Sequence, residues 1–176
     1  MELNSYFHRV KELTATRFWI NNVTAKEAVL AIEAGATGCT QNPSYTWKML
    51  QSEDEKQYVL SELDRLLKEE PEDNKVLVSL QRHLVSRIAA TFLPMFAESC
   101  GKTGYVSIQG DPFKEDVDSI LESARYNREA GSNIMAKIPA TEDGLKAIEI
   151  LAAESIPINA TEIMAVQQAM DVCEVY

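Results

Sequence analysis

The feature that most constrains this chain is an alternation, repeated five times, between short apolar runs and segments with helical spacing. The apolar runs lack the polar alternation of a half-exposed strand, which indicates strands that are buried on both faces. We predict them at Arg17–Asn21, Thr37–Thr40, Tyr105–Gln109, Asn133–Ile138 and Ile156–Thr161. Strands that alternate with helices favour right-handed parallel crossovers, so the pattern predicts an α/β fold with a parallel sheet.

Local signals indicate where the helices begin and end. Thr24 and Glu27 have the spacing of a capping box, and Gly35 predicts the end of the same helix because glycine readily adopts a left-handed backbone conformation. Ser52 and Glu55 repeat the capping-box spacing, which predicts the start of a second helix there. After a break at Pro71, apolar residues at helical spacing predict one buried helix face, which consists of Leu77, Leu80, Leu84 and Ile88.

The length limits how much of a barrel this chain can form. A complete eight-unit barrel typically needs ~250 residues and at least ~200, whereas these 176 residues supply five strands and end within a predicted helix that starts near Ile163. We therefore expect residues 1–176 to form a single domain that is part of a larger barrel. A smaller open sheet is the alternative.

The composition excludes several classes of partner. The chain has 17 basic and 27 acidic side chains, a net charge of −10, which argues against a general nucleic-acid or anionic-membrane binder. No apolar run reaches the ~18 residues of a membrane span. The three cysteines lack metal-binding or disulfide spacing and indicate packed thiols in a reducing compartment, so we expect a cytoplasmic protein. The two histidines, His8 and His83, lie away from the strand ends and cannot assemble a metal site.

Polar side chains lie at the carboxyl ends of all five predicted strands, which is where parallel α/β folds carry their functional sites. They are Asn21, Thr40 with Asn42, Gln109, Lys137 and Thr161. Two-residue alternation also places Ser107 on the same face as Gln109, and Asn159 on the same face as Thr161. Some of these residues can simply be loop starts, but five polar strand ends together predict a convergent site.

Lys137 is the residue with the sharpest chemical implication. A position inside an apolar strand buries its stem, and desolvation lowers the pKa of a lysine by up to ~3–5 units when burial is complete. A neutral amine attacks carbonyl groups and forms Schiff bases. The alternative is a strand-end lysine that extends to solvent or pairs with a carboxylate.

Five segments in sequence order together resemble the transaldolase family. They are Phe18–Asn22, Gly35–Pro43, Gly104–Pro112, Asn133–Gly144 and Ile156–Thr161. The pattern Lys-Ile-Pro-Ala-Thr-x-x-Gly, together with Thr-x-Asn-Pro, makes the resemblance specific. It implies a (β/α)₈ TIM-barrel fold, of which this chain holds about the first five units. It also implies a cofactor-free Schiff-base aldol reaction on sugar phosphates, in the pentose phosphate pathway of carbohydrate metabolism.

The resemblance also implies roles for individual residues. Lys137 matches the Schiff-base lysine on the fourth strand. Asn42 matches the asparagine that holds the hydroxyls of the donor sugar, with Thr40 in the same motif. Asn159 and Thr161 match polar positions on the fifth strand, close to the substrate and to the water that assists proton transfer.

Two expected carboxylates are replaced by amides in this chain. Asn21 stands where the family has an aspartate, and Gln109 stands where it has a glutamate, although the related fructose-6-phosphate aldolases also carry glutamine there. An amide keeps the hydrogen bonding but cannot take a proton. Asp111, which shares the strand parity of Gln109, is one substitute carboxylate. Glu162 is the other, but alternation directs it towards the helices unless a bulge turns it.

The sequence supports two main hypotheses for function. The first is a transaldolase that transfers a dihydroxyacetone unit between sugar phosphates, with Lys137, Asn21 and Gln109 at the reaction centre and no metal or cofactor. The second is a catalytically altered or inactive relative that binds a sugar phosphate or a partner protein. A lyase of the fructose-6-phosphate aldolase type is a further alternative. Unpaired strand edges would favour a homo-oligomer.

Overall fold

The computed structural model describes residues 6–176, in which five parallel strands form one sheet in the order β1-β2-β3-β4-β5. The strands are β1 (Trp19–Asn21), β2 (Gly38–Gln41), β3 (Tyr105–Gln109), β4 (Ile134–Pro139) and β5 (Ile158–Thr161). Each lies within two residues of its predicted bounds, so the prediction of a parallel α/β sheet is confirmed. The strand order is that of five consecutive units of a (β/α)₈ barrel.

Eight helices are present in the described residues. They are α1 (Tyr6–Leu13), α2 (Ala25–Ala34), α3 (Tyr45–Gln51), α4 (Lys56–Glu69), α5 (Asp73–Glu98), α6 (Val117–Arg128), α7 (Glu142–Ala153) and α8 (Val166–Val175). None of them combines the length and the apolar character that a membrane-spanning helix needs. The last helix begins at Val166 rather than near Ile163, because residues 162–165 form an irregular segment after β5, in which Glu162 has a φ of +60°.

The predicted boundaries of α2 are confirmed. The backbone N–H of Glu27 donates to Thr24 Oγ1 at 3.1 Å, and the N–H of Thr24 donates to Glu27 Oε2 at 2.9 Å, which completes the capping box. Gly35 follows the helix with a φ of +105°, a conformation that is accessible to glycine at little cost. The loop that leads from α2 into β2 is therefore defined by local sequence.

The predicted capping box at Ser52 and Glu55 is wrong. Ser52 instead follows the last residue of α3, and Glu55 gives α4 no side-chain cap. The buried carboxylate of Glu55 accepts hydrogen bonds from the backbone N–H of Ala25 at 2.8 Å and from Arg87 at 2.7 Å. Glu55 bonds to these distant residues rather than capping α4, because an unpaired buried carboxylate costs more free energy than a helix end without a side-chain cap.

The apolar core lies between the sheet and the helices and has two clusters. The larger cluster joins β2, β3 and the amino end of β4 to helices α2 to α5, and the smaller joins β4 to α6 and α7. Leu80, Leu84 and Ile88 of α5 are buried as predicted, but Leu77 is 53% exposed. Val76 takes the inward position instead, because it precedes Leu80, Leu84 and Ile88 at a regular spacing of four residues.

The prediction of three packed thiols is confirmed only for Cys39. Cys39 is completely buried in β2, and this burial raises the pKa of its thiol to about 12. Cys100 and Cys173 are free and exposed, because one follows the end of α5 and the other lies on the outer face of α8.

Candidate active site

The strand register brings the polar strand ends to one edge of the sheet. Asn21 lies opposite Thr40, and Thr40 lies opposite Ser107. Lys137 lies between Gln109 on one side and Asn159 on the other. The predicted convergence of these strand ends therefore has a structural basis, because parallel strands end at the same edge.

A row of hydrogen bonds joins three strands across this edge. Ser107 Oγ donates to Thr40 Oγ1 at 2.9 Å, and Asn159 Nδ2 donates to Ser107 Oγ at 3.0 Å. Ser107 is completely buried, whereas Thr40 and Asn159 are half-buried. Thr161 does not join the row: its carbonyl accepts a bond from Ala140, and its hydroxyl bonds to no side chain within residues 6–176.

A second chain of hydrogen bonds connects Lys137 to the first strand. Lys137 Nζ donates to Asn42 Oδ1, and Asn42 Nδ2 donates to Asn21 Oδ1 at 3.2 Å. Pro43 holds the preceding Asn42 out of the helical region at the end of β2, and the N–H of Asn42 donates to Asn22 Oδ1 at 2.8 Å. The carboxamide of Asn42 is therefore fixed between the amine and the first strand.

The surroundings of Lys137 favour the neutral form of its amine. The side chain is half-buried, and desolvation lowers its pKa, while the negative charge of Glu162 acts in the opposite direction. Its hydrogen-bond partner is the amide of Asn42, which carries no charge. Of the alternatives left open by the sequence, direct pairing of the Lys137 amine with a carboxylate does not occur among the described residues, since its hydrogen bond goes to Asn42.

Gln109 lies beside Lys137 and contacts a carboxylate. It is 5% exposed, and its Nε2 donates to Glu162 Oε1 at 3.2 Å. The expectation that Glu162 points towards the helices is wrong. Its backbone has a φ of +60°, which breaks the two-residue alternation directly after β5 and turns the side chain to Gln109.

The other acidic residues of this edge lie in the loop after β3. Asp111 Oδ1 accepts from the backbone N–H of Phe113 at 2.9 Å, so it stabilises the loop and is not bonded to Gln109. Glu115 lines a small cavity of about 20 Å³ together with Lys137. Burial, and secondly the charge of Glu162, raise the pKa of the Glu115 carboxyl. Sequence reasoning missed Glu115, which stands in no motif.

Two more residues at the rim were not predicted. Asn22 adopts a φ of +49°, which asparagine tolerates better than most residues, and its side chain supports Asn42. Lys48 of α3 donates from Nζ to the carbonyl oxygen of Asn22 at 2.6 Å. Its position directly after Asn21, the polar last residue of β1, was the available signal for Asn22. No sequence signal identified Lys48.

The histidines of this chain lie away from the carboxyl edge of the sheet. His83 of α5 contacts Glu62 and Arg65 of α4 on the outer layer of helices. No group of three or more histidine, cysteine or acidic side chains in residues 6–176 is arranged to hold a metal ion. The chemical groups at the strand ends are therefore one amine with a lowered pKa, several amides and hydroxyls, and nearby carboxylates.

Comparison with known proteins gives an independent view of the chain. The family model described as "Transaldolase/Fructose-6-phosphate aldolase" matches residues 18–175. A transaldolase from Thiobacillus denitrificans is 28% identical over 167 residues, which are 90% of this chain and 46% of that protein. A transaldolase from Helicobacter pylori strain HPAG1 is 34% identical over 94 residues, which are 52% of this chain and 29% of that protein.

A third relative matches a shorter region. Transaldolase 2 from a Nostoc species is 38% identical over 86 residues, which are 47% of this chain and 23% of that protein. The chain thus spans half or less of the length of these curated relatives.

Proposed function

Because the chain belongs to the transaldolase/fructose-6-phosphate aldolase family, we propose that it transfers a dihydroxyacetone unit between sugar phosphates through a Schiff base on Lys137. One observation carries the proposal. The half-buried amine of Lys137 has a lowered pKa, lies at the carboxyl edge of the sheet, and donates its hydrogen bond to an uncharged amide. That combination is what an amine needs to attack a ketone near neutral pH.

The reaction proceeds through a covalent intermediate on the amine. The neutral amine of Lys137 adds to the C2 carbonyl of a ketose phosphate, and loss of water gives an iminium ion. The electrons of the C3–C4 bond then move into the iminium to form an enamine, and the C4 hydroxyl loses its proton as an aldose phosphate leaves. The enamine adds to a second aldose phosphate, and hydrolysis frees Lys137.

The neighbouring polar groups orient the substrate in this proposal. Asn42 and Asn21 lie in one chain with the amine and hold the hydroxyls of the bound three-carbon unit. Thr40 and Asn159 lie on either side of Ser107 and offer further hydrogen-bonding groups. Gln109 and Thr161 orient the water through which protons move.

A second candidate function has a specific observation in its favour. Asn21 and Gln109 occupy the positions where the family has its acid–base carboxylates, and neither amide titrates. The chain could then bind a sugar phosphate or a protein partner without turnover, or release free dihydroxyacetone as a lyase does. On family similarity alone, we propose carbohydrate metabolism in the cytoplasm, at the pentose phosphate pathway, as its setting.

Borohydride trapping with fructose 6-phosphate tests the first proposal. We expect a covalent mass increase that peptide mapping assigns to Lys137 and that disappears in Lys137→Met. The trapping rate should rise with pH and reach its plateau at a pH below the ordinary pKa of lysine. Desolvation lowers the pKa of Lys137, so the neutral amine forms at a lower pH.

The matched control is Lys146→Met. Lys146 is exposed on α7 and pairs with Glu142 and Asp143, so this variant should trap substrate like the parent protein. A folded protein that binds fructose 6-phosphate without any trapped adduct would contradict the enzymatic proposal and favour the binding protein. Cleavage without transfer to an acceptor aldose would favour the lyase.

A further inference from the structure

Glu162 carries a carboxylate into the candidate site from an unexpected position. It directly follows β5, where strand alternation would turn its side chain away, yet its Oε1 accepts a hydrogen bond from Gln109 Nε2. Gln109 in turn lies opposite Lys137 in the sheet register. We propose that Glu162 is the acid–base carboxylate of this site, in place of the carboxylate that position 109 lacks. This inference rests on the proposed function.

The backbone conformation of Glu162 is what makes this contact possible. A φ of +60° is uncommon for a residue with a side chain, because Cβ crowds the backbone in the left-handed region. Such conformations concentrate at functional sites, where the surrounding structure supports them. Here the left-handed residue redirects one side chain, and that side chain reaches the buried amide of Gln109.

Charged groups from two elements surround Glu162. Lys137 from β4 and Glu115 from the loop before α6 are the groups whose charge interacts with it. Asp111 and Lys114, from the same loop as Glu115, line the small cavity beside Lys137. Glu162 itself is exposed, whereas Gln109 is buried. Glu162 can therefore exchange a proton with solvent while it remains bonded to a residue of the site.

The proton would move in a closed sequence during formation of the Schiff base. The carboxylate of Glu162 takes a proton from the Lys137 ammonium through water, and the free amine then adds to the C2 carbonyl. Proton transfer from nitrogen to oxygen gives a carbinolamine. The carboxylic acid of Glu162 returns its proton to the C2 hydroxyl, the C–O bond breaks, and the nitrogen lone pair forms the iminium. The products are the iminium, water and the regenerated carboxylate.

Gln109 has a positioning role in this sequence. One N–H of its amide holds Glu162, and its own oxygen stays available to orient the water that carries the proton. The amide itself neither gains nor loses a proton. Glu162 and Gln109 together therefore replace what a single glutamate on β3 would do.

The test is the rate of borohydride trapping with fructose 6-phosphate, measured across pH for Glu162→Gln. We expect the rate to fall by about 10²-fold, the usual effect of losing a general acid–base group. The pH inflection of the Lys137 amine should also move to lower pH, because the variant lacks the negative charge that raises this pKa. That shift follows from the lost charge alone, so the fall in rate and its rescue are the readouts that test the acid–base role.

A double variant separates charge from structure. Adding Gln109→Glu to Glu162→Gln returns one carboxylate to the same hydrogen-bonded pair, and we expect it to restore at least a tenth of the parent rate. Glu149→Gln, the same substitution on the exposed face of α7, should match the parent protein. Thermal melts of all variants check folding. If Glu162→Gln is unfolded, Glu162→Asp replaces it. Glu162→Asp keeps the charge and should therefore keep part of the trapping rate.

The outcomes distinguish this inference from the proposed function. Trapping by the parent protein, together with an unchanged trapping rate at the pH optimum in Glu162→Gln, overturns the role of Glu162 and leaves the Schiff base intact. A slow Glu162→Gln variant that Gln109→Glu does not rescue also overturns it. An absence of trapping in the parent protein overturns the proposed function itself.

Discussion

Asn42 gives the proposed nucleophile an uncharged hydrogen-bond partner. Its amide accepts a hydrogen bond from Lys137 and donates one to Asn21, so it links the amine to the first strand without a charge. A carboxylate in the same place would favour the ammonium form and raise the pKa of Lys137. The amide therefore leaves desolvation as the dominant influence on that pKa. The cost is that neither amide in this chain can accept a proton at neutral pH.

We predict that Asn21→Asp raises turnover. The new carboxylate can accept the hydrogen bond that Asn42 Nδ2 already donates at 3.2 Å, and it adds the missing base at the end of the chain. A gain of roughly 10-fold or more in kcat is expected from general-base catalysis. The measurement is steady-state cleavage of fructose 6-phosphate at neutral pH, in the presence and absence of an acceptor aldose.

Asn22→Asp is the matched control, because it makes the same change one residue away. The side chain of Asn22 accepts a hydrogen bond from the backbone N–H of Asn42 and is not bonded to the side-chain carboxamide of Asn42, so no increase in kcat is expected. Unchanged or lower turnover in Asn21→Asp would mean that protons leave this site by another route, of which Glu162 is the strongest candidate.

Helices α2 and α7 end in the same way but with different residues. In both, paired backbone hydrogen bonds close the last turn; in α7 Ser155 donates to Ala152 and Ile156 donates to Leu151. The residue that must adopt the left-handed conformation is Gly35 after α2 and Ser155, with a φ of +59°, after α7. Glycine is favoured at this position because it has no Cβ, so the serine is strained.

We predict that Ser155→Gly stabilises the protein. Relief of the left-handed strain is worth ~1–2 kcal/mol, and the entropy cost of glycine offsets ~0.5–1 kcal/mol of it. A net gain of up to about 1.5 kcal/mol in the free energy of unfolding is expected, and urea denaturation measures it. Trapping activity should not change, because Ser155 lies before the amino end of β5, opposite the site.

Gly35→Ala provides the reverse control. Its φ of +105° is unfavourable for alanine, and an added Cβ would lie 3.0 Å from the backbone nitrogen of His8, so this variant should lose stability. A Ser155→Gly protein that is no more stable than the parent would show that the loop before β5 already relieves the strain.

The five-stranded sheet is open at both edges. Within residues 6–176, β1 pairs only with β2, and β5 pairs only with β4. In the segment that follows β5 and in α8, Met164 and Val166 are 86% and 80% exposed, and Met170 is 50% exposed. Unpaired strand edges and neighbouring apolar side chains favour association with another chain or segment.

We predict that the polypeptide of these 176 residues self-associates through the β5 edge. Sedimentation velocity should show species larger than a monomer, in proportions that increase with protein concentration. Substitution of both Met164 and Val166 by lysine should shift the distribution towards the monomer, because charged side chains disfavour burial of this exposed apolar segment against a second chain. Leu67→Lys, at an exposed apolar position of α4, should leave it unchanged. A parent polypeptide that sediments as a single monomer at all concentrations would contradict this prediction.

Much of the fold was predictable because its signals are local. Buried apolar runs predicted all five strands, and Thr24, Glu27 and Gly35 predicted the bounds of α2 from neighbouring residues. The prediction failed where tertiary contacts compete with local ones. The side chain of Glu55 bonds to Arg87, a residue 32 positions away, instead of capping the adjacent helix. Local spacing cannot indicate such a partner.

The sequence by itself determined which strands form and which polar residues stand at their ends, because burial and two-residue periodicity are properties of neighbouring residues. It therefore brought Lys137, Asn42 and Asn21 to one edge of the sheet. Only the tertiary structure decided that Glu162 meets Gln109 across 53 residues. That contact depends on the sign of one φ angle and on how β3 and β5 each pair with β4, the strand between them. Neither is encoded in the pattern of adjacent side chains.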